Sequence, residues 1–442
     1  MKKIVKRLSA AAAFLTAGWS ALRFFRVRSL ASATLLGPKL LAGALAPILA
    51  LAGTISAIAG ALFKSPLTLL AGACGALVSV DYVRQTLRPH QEFERAFGPD
   101  WEARLTPSVK KRLPQRRWRI ILPQTPEPRW TRDLPFWTIP ETDRQLRCDI
   151  WQPPEEIAPS GLAFIYFHGS GWHFSDKDAG TRPMFRHLSA QGHVIMDVAY
   201  RLCPETDWRG MLGDVKRAVA WLRINAAEYG VDPAQIVLGG GSAGGHLALL
   251  AAYTAADAAL TPVDVMGMDL AVRGVVSWYG PPDMTYFAGH TVPVFSQKLP
   301  AEDERTNDTL ADKIFRAMGF DMPLPAHWPA GMTVQEAMMH ALFGGPPEER
   351  PEAYRQASPV THVAADCPST LLLQGEHDSL VAAESVHALA AQLRAVDVPV
   401  VHIEYPQASH AFDLVLPQLS PPAQAALYEV GRFLALLAYR EA

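Results

Sequence analysis

Residues 236–253 read IVLGGGSAGGHLALLAAY. A short apolar run enters a glycine cluster, and the cluster opens into a stretch whose apolar spacing is helical. Ser242 stands inside a G-x-S-x-G set, Gly240 to Gly244. In that setting a sharp turn between a strand and a helix lifts a hydroxyl above the sheet, and its neighbours are small because the turn is sterically tight. Glycine-rich turns of this kind also cradle phosphate, but the Lys-Ser/Thr pair that marks such loops is missing here.

About seventy residues upstream, the apolar run 163–167 (AFIYF) ends in His168-Gly169-Ser170-Gly171-Trp172. Acyl transfer through a serine develops an oxyanion, which calls for backbone N–H donors on a glycine-rich loop near the nucleophile. The candidate donors are the amides of Ser170, Gly171 and Ala243. Further short runs, 194–199 (VIMDVA), 274–278 (GVVSW), 370–373 and 400–405 (VVHIEY), read as strands. Between them 211–229, 243–256 and 381–396 read as helices, the last with Val386, Leu389, Leu393 and Val396 on one face. The alternation predicts an α/β fold with a mostly parallel sheet covered on both faces. Ligands on such sheets sit at the carboxyl ends of the strands, where both motifs fall.

These motifs, with Tyr200-Arg201-Leu202-Cys203-Pro204-Glu205 and two later segments, resemble the α/β-hydrolase fold. Within it they are similar to the hormone-sensitive-lipase-like carboxylesterases that carry an HGGxW loop. The resemblance covers residues 134–442 and implies a catalytic triad in chain order serine, acid, histidine. Residues 374–381 (QGEHDSLV) are similar to the family's acid turn and give Asp378, with Glu376 and Asp366 as competing carboxylates; residues 408–412 (ASHAF) give His410. Ser242 is then the nucleophile, His410 the base, and Asp378 the group that orients the imidazole. His246 and His377 read as packing or loop residues, and Glu205 and Asp214 carry no chemistry. The chain departs from the family at Ser170, where glycine is usual, and at Gly241, where many members have aspartate. The implied activity is hydrolysis of carboxylic esters by an acyl-serine route that needs no cofactor and no metal. An amidase or formamidase of the same fold is the alternative within this chemistry, and a non-enzymatic membrane-anchored binding protein with a hydrolase-like domain is the alternative outside it.

The rest of the chain is unlike a hydrolase. Of 442 residues 49% are apolar and 19% charged, and the apolar excess is concentrated in the first eighty or so. Residues 1–88 read as a membrane anchor with apolar helices at about 9–22, 41–63 and 66–80. The charge-free 41–63 is long enough to span a hydrocarbon core, and the second run is short for that unless its flanks snorkel. Lys2, Lys3, Lys6 and Arg7 before an apolar stretch also resemble the start of a signal peptide, although no clean cleavage site follows. If 41–80 is a hairpin, Arg23, Arg26, Arg28, Lys39, Arg84 and Arg88 flank one side and Lys64 the other, which places the catalytic part in the cytoplasm. Residues 89–133 read as a linker or a basic collar for anionic headgroups, with KKRLPQRRWR at 110–119. An insertion rich in Pro, Phe, Met and Trp at about 286–341 reads as a lid suited to apolar, lipid-like esters. The formal charge of −2 recommends no nucleic acid as partner, and four widely spaced cysteines form no zinc or disulfide pattern.

Overall fold

Apolar runs buried on every residue make the centre of an eight-stranded sheet. The computed structural model describes residues 2–301, 325 and 328–438. Its strands are β1 (Arg129–Ile139), β2 (Arg144–Gln152), β3 (Ala163–Phe167), β4 (Val194–Ala199), β5 (Ile236–Gly241), β6 (Gly274–Trp278), β7 (Ser369–Gly375) and β8 (Val400–Tyr405), ordered β1-β2-β4-β3-β5-β6-β7-β8. From β4 to β8 neighbours run parallel, and β1 and β2 form an antiparallel edge. Parallel strands covered on both faces are continuously apolar, which is why β3 to β8 are legible as short runs.

The antiparallel edge extends the hydrolase body earlier than the expected residue 134. β1 begins at Arg129, and its pattern is broken by irregularities between Thr131 and Leu134 and between Pro135 and Trp137. Such bulges, with charged residues on an exposed edge, erase the period-two signal. The basic segment ahead of it is strapped to the body. Arg117 pairs with the buried Glu429 at 3.0 Å, and the Trp118 indole donates to the Leu419 carbonyl at 2.9 Å. Lys110, Lys111 and Arg116 remain exposed.

The N-terminal helices are α1 (Lys2–Ala21), α2 (Leu36–Ala44), α3 (Ala46–Leu62) and α4 (Pro66–Thr86). The expected single helix over 41–63 is broken: the segment Leu30–Ala44 meets α3 at an angle of 75°. Pro47, in the first turn of α3, lacks the N–H that would reach back to Gly43, and its ring excludes that carbonyl, so the ladder cannot continue. The second run gains what the first loses. α4 continues through Asp81 for 21 residues and is the one helix among the described residues long and apolar enough by itself to cross a membrane; Leu30–Ala44 with α3 qualifies only as a bent pair.

These helices pack through small residues. A Cβ at Gly53 would lie 2.7 Å from the Gly72 carbonyl oxygen, one at Gly60 2.3 Å from the Leu69 nitrogen, and one at Gly75 2.9 Å from the Ala17 nitrogen. Ser20 Oγ donates to the Gly75 carbonyl and lies 2.8 Å from Ser79 Oγ. The contacts of Thr16 with Gly75 and Ser20 with Ser79 make α1 parallel to α4, whereas α3 runs antiparallel to it. Lys2, Lys3, Lys6 and Arg7 therefore share the flank of Lys64. The expected charge asymmetry, with Lys64 alone on the far side, is thereby removed, and the cations no longer choose a face.

The body is completed by α5 (Arg182–Ser189), α6 (Trp208–Ile224), α7 (Ala243–Tyr253), α8 (Val334–Phe343), α9 (Ala383–Ala395) and α10 (Pro421–Ala438). Much of the expected insertion, 302–324 with 326–327, lies outside the described residues.

Candidate active site

Ser242 caps α7 with φ 52° and ψ −119°, a conformation that L-residues avoid. Its amide donates to the Trp278 carbonyl at 2.8 Å, which locks the turn against β6. Two glycines make the turn possible. A Cβ on Gly240 would lie 2.4 Å from the Gly244 carbonyl carbon, and one on Gly244 would lie 1.9 Å from the Phe167 oxygen at the end of β3. The G-x-S-x-G spacing thus records how closely β5, α7 and β3 approach.

The loop after β3 comes down beside this turn. A Cβ on Gly169 would be 3.3 Å from Ser242 Cβ. Ser170 and Gly171 follow with φ of 85° and 62°. Among the described residues, the amides of Gly169, Ser170, Gly171 and Ala243 donate to no protein acceptor. The loop is held from behind. Tyr200 Oη donates to the His168 carbonyl at 2.9 Å, the Cys203 amide donates to the Trp172 carbonyl at 3.0 Å, and the Trp172 indole donates to His246 Nδ1 at 3.1 Å. The Y-R-L-C-P-E segment therefore buttresses this loop, a role its sequence alone did not reveal. His246 passes its other N–H to the Ala357 carbonyl at 2.7 Å, and burial lowers its pKa to about 4, so it is a neutral packing residue. Asp214 is buried between Arg201 at 2.7 Å and Arg217 at 3.0 Å, and Glu205 meets Arg144 at the surface, so both are structural.

Asp378 and His410 arrive from the turns after β7 and β8. Asp378 is over-determined: Oδ1 accepts from the amides of Leu380 at 2.8 Å and Val381 at 2.9 Å, and Oδ2 accepts from Gln374 Nε2 at 3.2 Å and from His410 Nδ1 at 2.8 Å. The carboxylate side chain is wholly buried and the imidazole is 8% exposed. The competing acids lie elsewhere. Glu376 accepts from the Gln407 amide and pairs with Arg26, and Asp366 is exposed.

A second acid, found by no motif, lies behind the imidazole. Asp413 is half-buried and accepts from Tyr279 Oη, and the Tyr279 ring lies 4.3 Å from that of His410. Burial raises the Asp413 carboxyl to about 6, opposed by the Tyr279 hydrogen bond and by His410. Only its position three residues past His410 could have marked it.

Ser242, His410, Ser170 and Gly171 line one cleft, while Asp378 stands behind His410 and Ala243 begins α7. The other walls are apolar: Trp172, Phe287, Phe295, Met338, Leu380, Val381 and Leu414, with Leu36 from the N-terminal region. Serine, imidazole and carboxylate in this order, beside unpaired amides, are the parts of a nucleophilic acyl-transfer site.

The signature of the BD-FAE family matches residues 148–316 and 321–393. The chain belongs to the BD-FAE family. In this BD-FAE chain the match includes Ser242 and Asp378 and ends before His410. The chain is similar to the probable carboxylic ester hydrolase LipM of Mycobacterium tuberculosis, 33% identical over 278 residues, 62% of this chain and 55% of LipM. It is also similar to the esterase LipQ of the same organism, 30% identical over 335 residues, 74% of this chain and 69% of LipQ. It thus spans little more than half the length of LipM. Among solved structures it resembles esterase B of Lactobacillus rhamnosis, with a TM-score of 0.53 at 20% identity over 72% of this chain and 88% of that one, which supports the α/β-hydrolase fold.

Proposed function

We propose that this BD-FAE protein is a membrane-anchored serine hydrolase that cleaves carboxylic esters through an acyl-enzyme at Ser242. The observation that carries the reading is the 2.8 Å hydrogen bond from His410 to the buried Asp378, on a histidine that shares one cleft with a strained serine. Ser242 Oγ attacks the ester carbon as His410 Nε2 takes its proton, and Asp378 fixes the tautomer and stabilises the imidazolium. The negative charge on the carbonyl oxygen is met by amides from Ser170, Gly171 and Ala243, to which the position of Gly169 adds a fourth candidate. Collapse expels the alcohol, protonated by His410. A water molecule then repeats the sequence, releasing the acid and restoring Ser242.

Apolar walls suit an aliphatic or aromatic acyl group. Phe287, Phe295 and Met338 belong to the insertion and favour its reading as part of a roof over the cleft. The N-terminal helices favour a bilayer. Their contacts use Gly, Ala, Ser and Thr, while Phe14, Leu15, Ile48, Leu51, Ile55, Ile58, Leu67, Leu70 and Leu77 face outward and are more than half exposed. Small residues inside and large apolar ones outside invert a soluble bundle and match helices packed in lipid. The exposed Lys110, Lys111 and Arg116 are placed to meet anionic headgroups.

Purified full-length protein and the Ser242→Ala variant, assayed on p-nitrophenyl esters and the matching anilides, test the chemistry. Ester turnover by the wild type alone is expected. Anilide turnover without ester turnover, or equal activity in both proteins, refutes the assignment.

A further inference from the structure

One wall of the cleft comes from outside the hydrolase body. Leu36, in the first turn of α2, is 2% exposed and lines the cleft with Leu380, Val381 and Leu414. The short helical turn Leu30–Ala33 just before it packs on Pro293–Phe295, whose Phe295 lines the same cleft. One turn after Leu36 comes Lys39, also 2% exposed. Residues three apart share a helix face, so the face that brings Leu36 to the cleft also brings Lys39 to the acid turn.

Lys39 Nζ donates to the Phe25 carbonyl at 2.7 Å and lies 3.1 Å from His377 Nδ1. His377 directly precedes Asp378, and its amide donates to the Ala408 carbonyl at 2.9 Å, two residues before His410. Burial first, and then the Lys39 cation, lower the His377 pKa to about 4, which keeps the ring neutral, and the Arg23 carbonyl lies 3.2 Å from the same Nδ1, so a further group of the N-terminal region meets this ring. Arg26 adds an ion pair with Glu376 at 3.5 Å, and Glu376 in turn accepts from the Gln407 amide at 2.9 Å. Two cations of the N-terminal region thus grip the turns that carry the acid and the base. A buried ammonium needs hydrogen-bond partners to be tolerated. Lys39 has the Phe25 carbonyl and the His377 ring beside it at this junction, so α2 and the acid turn are ordered together.

We propose that α2 is a working part of the catalytic site supplied by the anchor: Leu36 is the wall that sets acyl length, and Lys39 is a positioning residue for the turn that holds Asp378. The proposal rests on the esterase reading above. It implies that the anchor shapes specificity and turnover and is more than a tether.

The test uses full-length protein in nanodiscs and p-nitrophenyl esters of graded chain length, with rates expressed per active site titrated by a fluorophosphonate. Leu36→Ala opens the wall and is expected to move the preferred acyl chain longer by about two carbons, and Leu36→Phe to move it shorter. Lys39→Met is expected to lower kcat per titrated site by at least about tenfold on a short ester while KM holds, because a displaced acid turn misorients His410 without touching substrate. A merely structural Lys39 would lower the titratable fraction and leave kcat per site unchanged. Leu36 variants with the wild-type chain-length profile overturn the wall, and an unchanged kcat per site in Lys39→Met overturns the clamp. A wild type that cleaves no ester in the series refutes the esterase reading instead.

Discussion

At Ser242 the backbone stands at φ 52°, and the same residue is the proposed nucleophile, so strain and chemistry coincide at one position. The support around it yields three expectations. Asp378→Asn keeps the shape of the turn, but its amide can donate toward Nδ1 and favour the wrong imidazole tautomer; kcat should fall by roughly 10⁴-fold with little change in KM, read from ester kinetics. Ser170 occupies φ 85° where glycine would rest without strain. Ser170→Gly is expected to stabilise the protein by up to about 1 kcal/mol, seen as a higher denaturation midpoint with esterase activity retained. Asp413 supplies a pH dependence. Its folded pKa of about 6 lies above the 3.8 of an unperturbed carboxyl, so the folded state holds the proton more tightly. Its contribution to stability is complete below pH 4 and lost as pH rises through about 6. Relative to Asp413→Asn, the wild type should lose about 2 kcal/mol of unfolding free energy between pH 4 and pH 7, and a flat difference contradicts the assignment.

At the scale of elements, legibility follows burial. β3, β4, β6 and β8 match the expected runs residue for residue because the first three are covered on both faces and β8 keeps one apolar, buried face. β1 and β2 were invisible because the edge they form is exposed and bulged. The Ser242 turn was legible because it fills a tight corner that few residues fit, and the Asp378 and His410 turns because their segments resemble those of a known family. The Tyr279–Asp413 pair and Leu36 were not, because ordinary residues acquire those places only when distant segments meet. The helix expected over 41–63 failed at Pro47, a local rule outweighed by apolar length. The same helices give a prediction of their own. Gly72 lies so near Gly53 and Ala57 that Gly72→Leu must push α3 and α4 apart. The variant should lose several degrees of melting temperature in detergent, while Leu77→Ala, on the outer surface, should change it little.

Seen whole, the molecule joins an N-terminal three-helix unit with an apolar exterior to a hydrolase-like body through α2. α1 runs parallel to α4 and α3 antiparallel to it, so if all three helices cross a bilayer the N-terminus and the catalytic body lie on opposite faces of it. In sealed vesicles, tags at the two ends should show opposite protease accessibility; matching accessibility would reduce α1 to an interfacial helix. The account as a whole depends on Ser242 being activated by His410. Exposing the full-length protein to a fluorophosphonate and locating the adduct by peptide mass measures this directly. The expected result is one adduct, on the peptide containing Ser242, absent in Ser242→Ala and strongly slowed in His410→Ala. A folded wild type that stays unmodified, or carries the adduct on another residue, would contradict it.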